Sequence, residues 1–193
     1  MTEQQIALCV IAGDTALDEG FERMLDSVVG KVHGVFVSFN GTDDAIRTTL
    51  MAAIDERFGN GAIVVVPWRE DFAEQRNASF DLARKFCLWD WLFWLDCDDV
   101  LAEHSDLQLA CRTLIDKRAH GGFLDYVYDT DSETGDTLAQ HVKERLFRAD
   151  VAWHWAYPVH ENCLGPIATR MTEIGSEIAV VIHNRRDTRE AGR

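Results

Sequence analysis

Residues 91–101 read Trp91-Leu92-Phe93-Trp94-Leu95-Asp96-Cys97-Asp98-Asp99-Val100-Leu101, a run of large apolar side chains ending in three carboxylates. The run is long enough for one strand, and unbroken apolar runs of this kind mark parallel strands covered on both faces. Ligands of open α/β sheets bind beyond the carboxyl ends of the strands, so acids delivered there stand where chemistry is expected. Side chains alternate along a strand, which puts Asp96 and Asp98 on the same side and leaves Asp99 to turn with the following loop. The plainer reading is an acidic cap on a core strand.

Three earlier apolar runs have the same character. Residues 6–11 form a first buried strand ending at Ala12-Gly13-Asp14, residues 34–39 a second, and residues 62–66 a third closed by Pro67. Helical stripes separate them. Leu17, Phe21, Met24, Leu25 and Val28 recur at helical spacing behind Asp18 and Glu19, acids that suit a helix N-terminus. Asn40-Gly41-Thr42-Asp43-Asp44 reads as a turn carrying an N-cap, followed by the stripe Ile46, Leu50, Ala53, Ile54 and Phe58 and the stop Gly59-Asn60-Gly61. Asp71-Phe-Ala-Glu74 has capping-box spacing and opens a helix predicted to reach about Cys87, with Arg76 and Asn77 one turn in; Ser105-Asp-Leu-Gln108 repeats that spacing. The alternation predicts a parallel sheet between helices, wound right-handedly.

After residue 118 the pattern changes. Residues 122–130 and 138–148 read as an antiparallel hairpin over the turn Ser132-Glu-Thr-Gly-Asp136. An aromatic loop, Trp153-His-Trp155-Ala-Tyr-Pro-Val-His160-Glu161, and a last strand at 177–182 delivering His183-Asn184-Arg185-Arg186 complete the chain. Its 193 residues suit one domain. The tail stops soon after a strand, which suggests a piece of something longer.

Composition narrows the partners. With 47% hydrophobic and 27% charged residues the chain is globular in character, and 33 acids against 19 basic residues leave a formal charge of −14. An acidic surface repels phosphate backbones and anionic lipid, which disfavours nucleic acid and membrane partners, although a nucleotide recruited through a divalent cation remains compatible. Cys9, Cys87, Cys97, Cys111 and Cys163 are scattered and form no Cys-x-x-Cys pair, which argues for a reducing, cytoplasmic setting. No transmembrane segment is expected.

The residue types point to metal-assisted chemistry. Asp96 and Asp98 offer hard oxygen ligands suited to Mg²⁺ or Mn²⁺, and His183 at a strand end could add nitrogen. The ion would neutralise a diphosphate and ease departure of its phosphate. Glu161 in His160-Glu161 could act as general base toward an acceptor hydroxyl or be an exposed loop acid. Arg76 could brace a phosphate or an aspartate, or be a solvated helix residue. Trp153 and Trp155 could stack on a sugar or sit in the core, whereas Trp89, Trp91 and Trp94 are assigned to packing.

Together these segments resemble glycosyltransferase family 2, of the GT-A fold, in a bacterial and phage-like subgroup. Asp71-Phe-Ala-Glu-Gln-Arg76-Asn77 resembles the family's Asp-Phe-Ser-x-x-Arg-Asn helix, and 91–99 its strand bearing Asp-x-Asp. Arg145-Leu-Phe-Arg148, Val159-His160-Glu161 and Val181-Ile-His183 resemble further segments, so the likeness spans the chain. It implies a single GT-A-like α/β domain over 1–193, with a mainly parallel sheet, an added antiparallel hairpin, a nucleotide-sugar-binding half at 1–118 and an acceptor-side half at 119–193. The implied activity is inverting transfer of a sugar from a nucleotide-diphosphate donor, a UDP-sugar by preference, to an acceptor hydroxyl with Mn²⁺ or Mg²⁺. Carried over, Asp98 and His183 hold the metal, Ala12, Asn40, Asp43, Arg76 and Asp96 face the donor, Glu161 is the base, and Trp153, Trp155 and His160 lie on the acceptor side. One departure concerns the second strand, which ends Ser38-Phe39-Asn40-Gly41-Thr42-Asp43 where the family carries a base-reading aspartate, so that acid is either missing or shifted to Asn40 or Asp43, and the donor's base is left open.

Two other readings share these features. Asp96-Cys-Asp98-Asp99-Val100 also matches the signature of haloacid dehalogenase-like phosphohydrolases, with Asp96 as nucleophile, although that signature normally comes near a chain's start. A non-catalytic domain binding a nucleotide sugar would keep the fold without turnover.

Overall fold

A computed structural model describes residues 2–131, 134 and 136–183. The chain runs β1 (Ile6–Ala12), α1 (Ala16–Glu19), α2 (Phe21–Val28), β2 (Gly34–Phe39), α3 (Asp44–Phe58), β3 (Gly61–Val65), α4 (Phe72–Lys85), β4 (Trp91–Asp96), β5 (Asp99–Leu101) and α5 (Leu107–Asp116). It continues with β6 (Gly121–Thr130), β7 (Thr137–Arg148), β8 (His154–Ala156), β9 (Asn162–Leu164), β10 (Met171–Glu173) and β11 (Val180–His183). Among the described residues the main sheet has the order β3-β2-β1-β4-β7-β6-β11-β5, with β10 alongside β6, and β8 pairs β9 separately. β1 to β4 are mutually parallel, and β7 enters antiparallel against β4. This is the expected α/β architecture: a parallel half extended by an antiparallel hairpin.

Alternation along the strands sorts side chains into two cores. Ile6, Leu8 and Val10 of β1 and Trp91, Phe93 and Leu95 of β4 pack against Met24 and Leu25 of α2, Ile54 of α3 and Leu114 of α5. Ala7, Cys9, Leu92 and Trp94 face the other way, onto Phe80 and Ala83 of α4 and onto Trp153 and Trp155. Each fully buried large apolar side chain contributes about 1.5–3 kcal/mol. The same alternation decides the site: Trp94 and the next residue of its row, Asp96, face α4.

Several boundaries differ from the sequence expectation for identifiable reasons. The first helix is split, because Gly20 takes φ 117° between α1 and α2, a conformation open to glycine. The strand expected across 91–101 breaks at Cys97-Asp98, and Asp99–Leu101 pairs antiparallel with β11 at the far edge. Asp71 caps α4 as expected, accepting from Glu74 N–H at 2.9 Å, but Glu74 faces Arg69 at 3.4 Å. α5 is capped by Asp106, at 2.8 Å from Leu109 N; the expected cap, Ser105, instead bonds the backbone of Val180. α4 stops at Lys85, short of Cys87. The last strand begins at Val180, three residues later than expected. β8, β9 and β10, of three residues each, are too short to leave a periodic signal. The hairpin turn falls partly, and 184–193 wholly, outside the described residues. All five cysteines are free thiols, and no helix among the described residues is long and apolar enough to cross a membrane.

Candidate functional site

The carboxyl ends of β1, β2 and β4 open onto a cavity of about 930 Å³, walled on the other side by β6, β7, the 157–162 loop and β11. Ile11, Gly13, Asn40, Asp96 and Asp98 come from the parallel half, and Tyr126, Tyr128, His141, Lys143, His160, Glu161 and His183 from the remainder. Asp14 ties the rim together by accepting from Thr42 N–H and Asp43 N–H, each at 2.9 Å. Those bonds hold its carboxyl below the ordinary aspartate range.

On the α4 side, Arg76 is the hub. It is 5% exposed, its guanidinium lies 3.7 Å from the Trp94 ring centroid, and it donates from Nε to Glu161 Oε1 at 2.6 Å and from Nη2 to Asp96 Oδ1 at 3.2 Å. A solvated arginine is thereby excluded. Burial pushes the Glu161 carboxyl up, but the charge and hydrogen bond of Arg76 outweigh it and leave the group below the ordinary glutamate range. The loop presenting Glu161 is strained, since Tyr157 and His160 have φ of 74° and 56°, conformations that cost non-glycine residues about 1–3 kcal/mol each. Phe72 N–H, donating to Pro158 O at 3.0 Å, and the Arg76–Glu161 pair hold that loop to α4. Asn77 anchors the strand before it, donating to Trp155 O at 2.9 Å and accepting from Trp155 N–H at 2.8 Å.

On the hairpin side, Asp98, Asp99 and His183 bring one ligand atom each within 4.8 Å of one another. His183 Nδ1 lies 3.6 Å from both Asp98 Oδ2 and Asp99 Oδ1. Two carboxylate oxygens and an imidazole nitrogen are a donor set suited to Mn²⁺ or another divalent ion. Burial and the neighbouring Asp99 and Asp96 push the Asp98 carboxyl up, against the pull of His183, a charge imbalance that a cation at this place would relieve. Asp99 corrects the expectation of a loop-mobile acid. It is fully buried, paired to Arg145 Nη1 at 2.9 Å, and accepts from Tyr126 O–H at 2.9 Å. Burial alone would raise its carboxyl, yet Arg145, His183 and these hydrogen bonds hold it down to about 2. Arg145 reaches it through a bulge: Glu144 pairs Phe123 and Leu146 pairs Gly122, leaving Arg145 out of the ladder. Its guanidinium lies 3.8 Å from the Trp94 centroid and 4.7 Å from that of Tyr126, so ring faces stand where Nε and Nη2 lack hydrogen-bond acceptors.

The expected residues are thus only partly brought together. Asp96, Asp98, His183, Arg76, Asn40, His160 and Glu161 line one cavity. Ala12 is buried beneath it, with its carbonyl accepting from Asn40 N–H. Asp43 spends its carboxylate as the N-cap of α3. Trp153 is core, against Phe147 at 5.1 Å; Trp155, 1% exposed, reaches the cavity only as part of its wall. Trp94, assigned to packing, also floors the site. Tyr128, His141, Lys143 and the rim pair Trp68 and Phe72 were not anticipated; the alternating polar residues His141 and Lys143, just before the buried end of β7 at Arg145, Leu146 and Phe147, were the available signal.

No family model matches the sequence, and no curated protein matches it. Solved structures do. S. aureus TarS residues 1–349 in complex with UDP has a TM-score of 0.56 at 10% identity, covering 94% of this chain and 60% of that one. TarS 1–349 gives a TM-score of 0.55 at 10% identity with 93% and 60% covered, and a longer TarS structure 0.54 at 10% with 94% and 37%. This chain therefore spans about 60% of the 349-residue TarS structure. Its fold is that of a GT-A-type α/β domain, as the resemblance implied.

Proposed function

We propose that the chain is a metal-dependent inverting glycosyltransferase domain, of family 2 type, that moves a sugar from a UDP-sugar to an acceptor hydroxyl. The observation that carries this reading is the Asp98, Asp99 and His183 group at the mouth of β4, facing a cavity large enough for a nucleotide sugar in a fold shared with a UDP-bound protein. Asp98 and His183, with Asp99 behind them, would hold Mn²⁺ or Mg²⁺. When bound, the ion supplies positive charge to the departing diphosphate.

The chain's own residues do the rest. The parallel half, 1–118, takes the nucleotide, with Asn40 at the rim and Asp96 and Arg76 toward the sugar-bearing end; 119–193 takes the acceptor near His160. The acceptor oxygen bonds to the anomeric carbon as the carbon–oxygen bond to the diphosphate breaks, its electron pair leaving on phosphate, and Glu161 takes the hydroxyl proton. Arg76 orients Glu161 and costs it basicity. The test is a thermal-shift panel of nucleoside diphosphates and their sugars, with and without Mn²⁺, on wild type and Asp98→Ala. Manganese-dependent stabilisation by UDP that disappears in the variant is expected. A folded protein that responds to no nucleotide would overturn the proposal.

A further inference from the structure

Among the described residues Lys143 is a cation without an ion-pair partner. It lies half-buried on β7 and lines the cavity beside His141, yet among the described residues no carboxylate comes within 4.0 Å of its ammonium. Burial lowers its pKa first, and among the charges around it Arg145 and Arg76 lower it while Asp96 and Asp99 offset them only in part. Its Nζ lies 5.2 Å from the Tyr126 ring centroid and 5.7 Å from that of Trp94. In a chain of net charge −14 acids are plentiful, yet among the described residues none is in ion-pair contact with this group. Taking an ammonium partly out of water without an ion-pair partner is costly, and a bound anion would remove the cost.

Its position says which anion. Tyr126, under the ammonium, donates to Asp99 at 2.9 Å, and Tyr128, on the same strand, stacks on His183 at 5.1 Å and 11°. His141, paired with Tyr126 in the ladder, faces the same space. Lys143 therefore borders the Asp98 and His183 group from the β7 side, where phosphate oxygens of a metal-held diphosphate would lie. We infer that Lys143 is a phosphate-binding residue of this cavity, holding an oxygen of the donor's diphosphate and stabilising the charge that gathers there as the sugar leaves. This rests on the function proposed above. The same chemistry could come from a phosphate carried by the acceptor.

Calorimetric titration separates these cases. UDP with Mn²⁺ is titrated into wild type, Lys143→Met and Lys143→Arg, and glycerol 3-phosphate into each protein already saturated with UDP and Mn²⁺. Lys143→Met is expected to bind UDP at least tenfold more weakly, Lys143→Arg to stay within a few-fold of wild type, and the unliganded melting temperatures to match. A Lys143→Met protein that binds UDP normally but loses affinity for glycerol 3-phosphate keeps the phosphate subsite and moves it to the acceptor. Unchanged binding of both probes in Lys143→Met overturns the inference alone, whereas a wild type that binds no UDP removes the function on which it rests.

Discussion

Two arginines lie against one indole and live in different worlds. Arg76, on α4, faces the cavity with its charge shared between Asp96 and Glu161, whose side chains are 35% and 15% exposed. Arg145, on β7, is sealed in with Asp99, both side chains at 0% exposure. Both guanidiniums sit under 4 Å from the Trp94 centroid. A buried pair is sustained by its own closeness and fails when one partner is removed; a pair open to a cavity can exchange protein partners for ligand or water. Arg145 thus belongs to the scaffold that aims Asp99 at His183, and Arg76 to the working surface.

The sharpest way to break that comparison is Arg145→Met, which leaves Asp99 buried and unpaired. A loss of about 3–5 kcal/mol in denaturant unfolding is expected; a loss below about 1 kcal/mol would show that the pair is not structural. Arg76→Met is expected to cost only about 1–2 kcal/mol, because water reaches Asp96, while weakening Mn²⁺-dependent UDP stabilisation far more than the fold. Equal stability losses in the two variants would erase the distinction.

Glu161 sharpens the contrast through pH. Its carboxyl is held below the ordinary value of 4.5 by Arg76, against burial. The stabilisation it contributes is therefore complete above pH 4.5 and is lost as pH falls through its lowered folded-state value. In Arg76→Met burial is opposed only by a backbone hydrogen bond and the charge of Lys143, so the carboxyl should titrate higher than in wild type, as read by carbon-13 carboxylate shifts. A Glu161 titration that does not move would mean that the ion pair does not hold it. The smallest effect is expected at Asp43→Ala, which removes the α3 cap for about 1 kcal/mol in thermal unfolding and leaves UDP binding unchanged. Weakened UDP binding there would return Asp43 to the donor site.

What the sequence disclosed follows the same divide. The parallel half was legible because each strand is a short apolar run and each helix a stripe, so β1, β2, β3 and α3 lie within a residue or two of expectation. That Asp96, Asp98 and His183 line one cavity follows from strand ends for the two acids and, for His183, was anticipated only through the family resemblance. Asp99 was misjudged because its environment is made by Arg145, 46 residues later and aimed by a bulge, which no local pattern records. Of the two alternatives open for Trp153 and Trp155 the core one holds, against the acceptor-side place that the resemblance implied: near His160-Glu161 in sequence, they are drawn inward by Asn77, Phe80 and Phe147. Lys143 went unnoticed because a lysine on a hairpin strand means nothing until the fold places it in the cavity with no carboxylate in contact among the described residues.

The claim on which the rest depends is that Asp98 and His183 hold a divalent ion together with a nucleoside diphosphate. Electron paramagnetic resonance of free Mn²⁺, titrated with this protein and UDP, tests it directly. The account predicts stoichiometric loss of the free-ion signal that tightens when UDP is added and is absent in Asp98→Asn. A free Mn²⁺ signal unchanged by folded wild-type protein and UDP, or lost equally with Asp98→Asn, would contradict it.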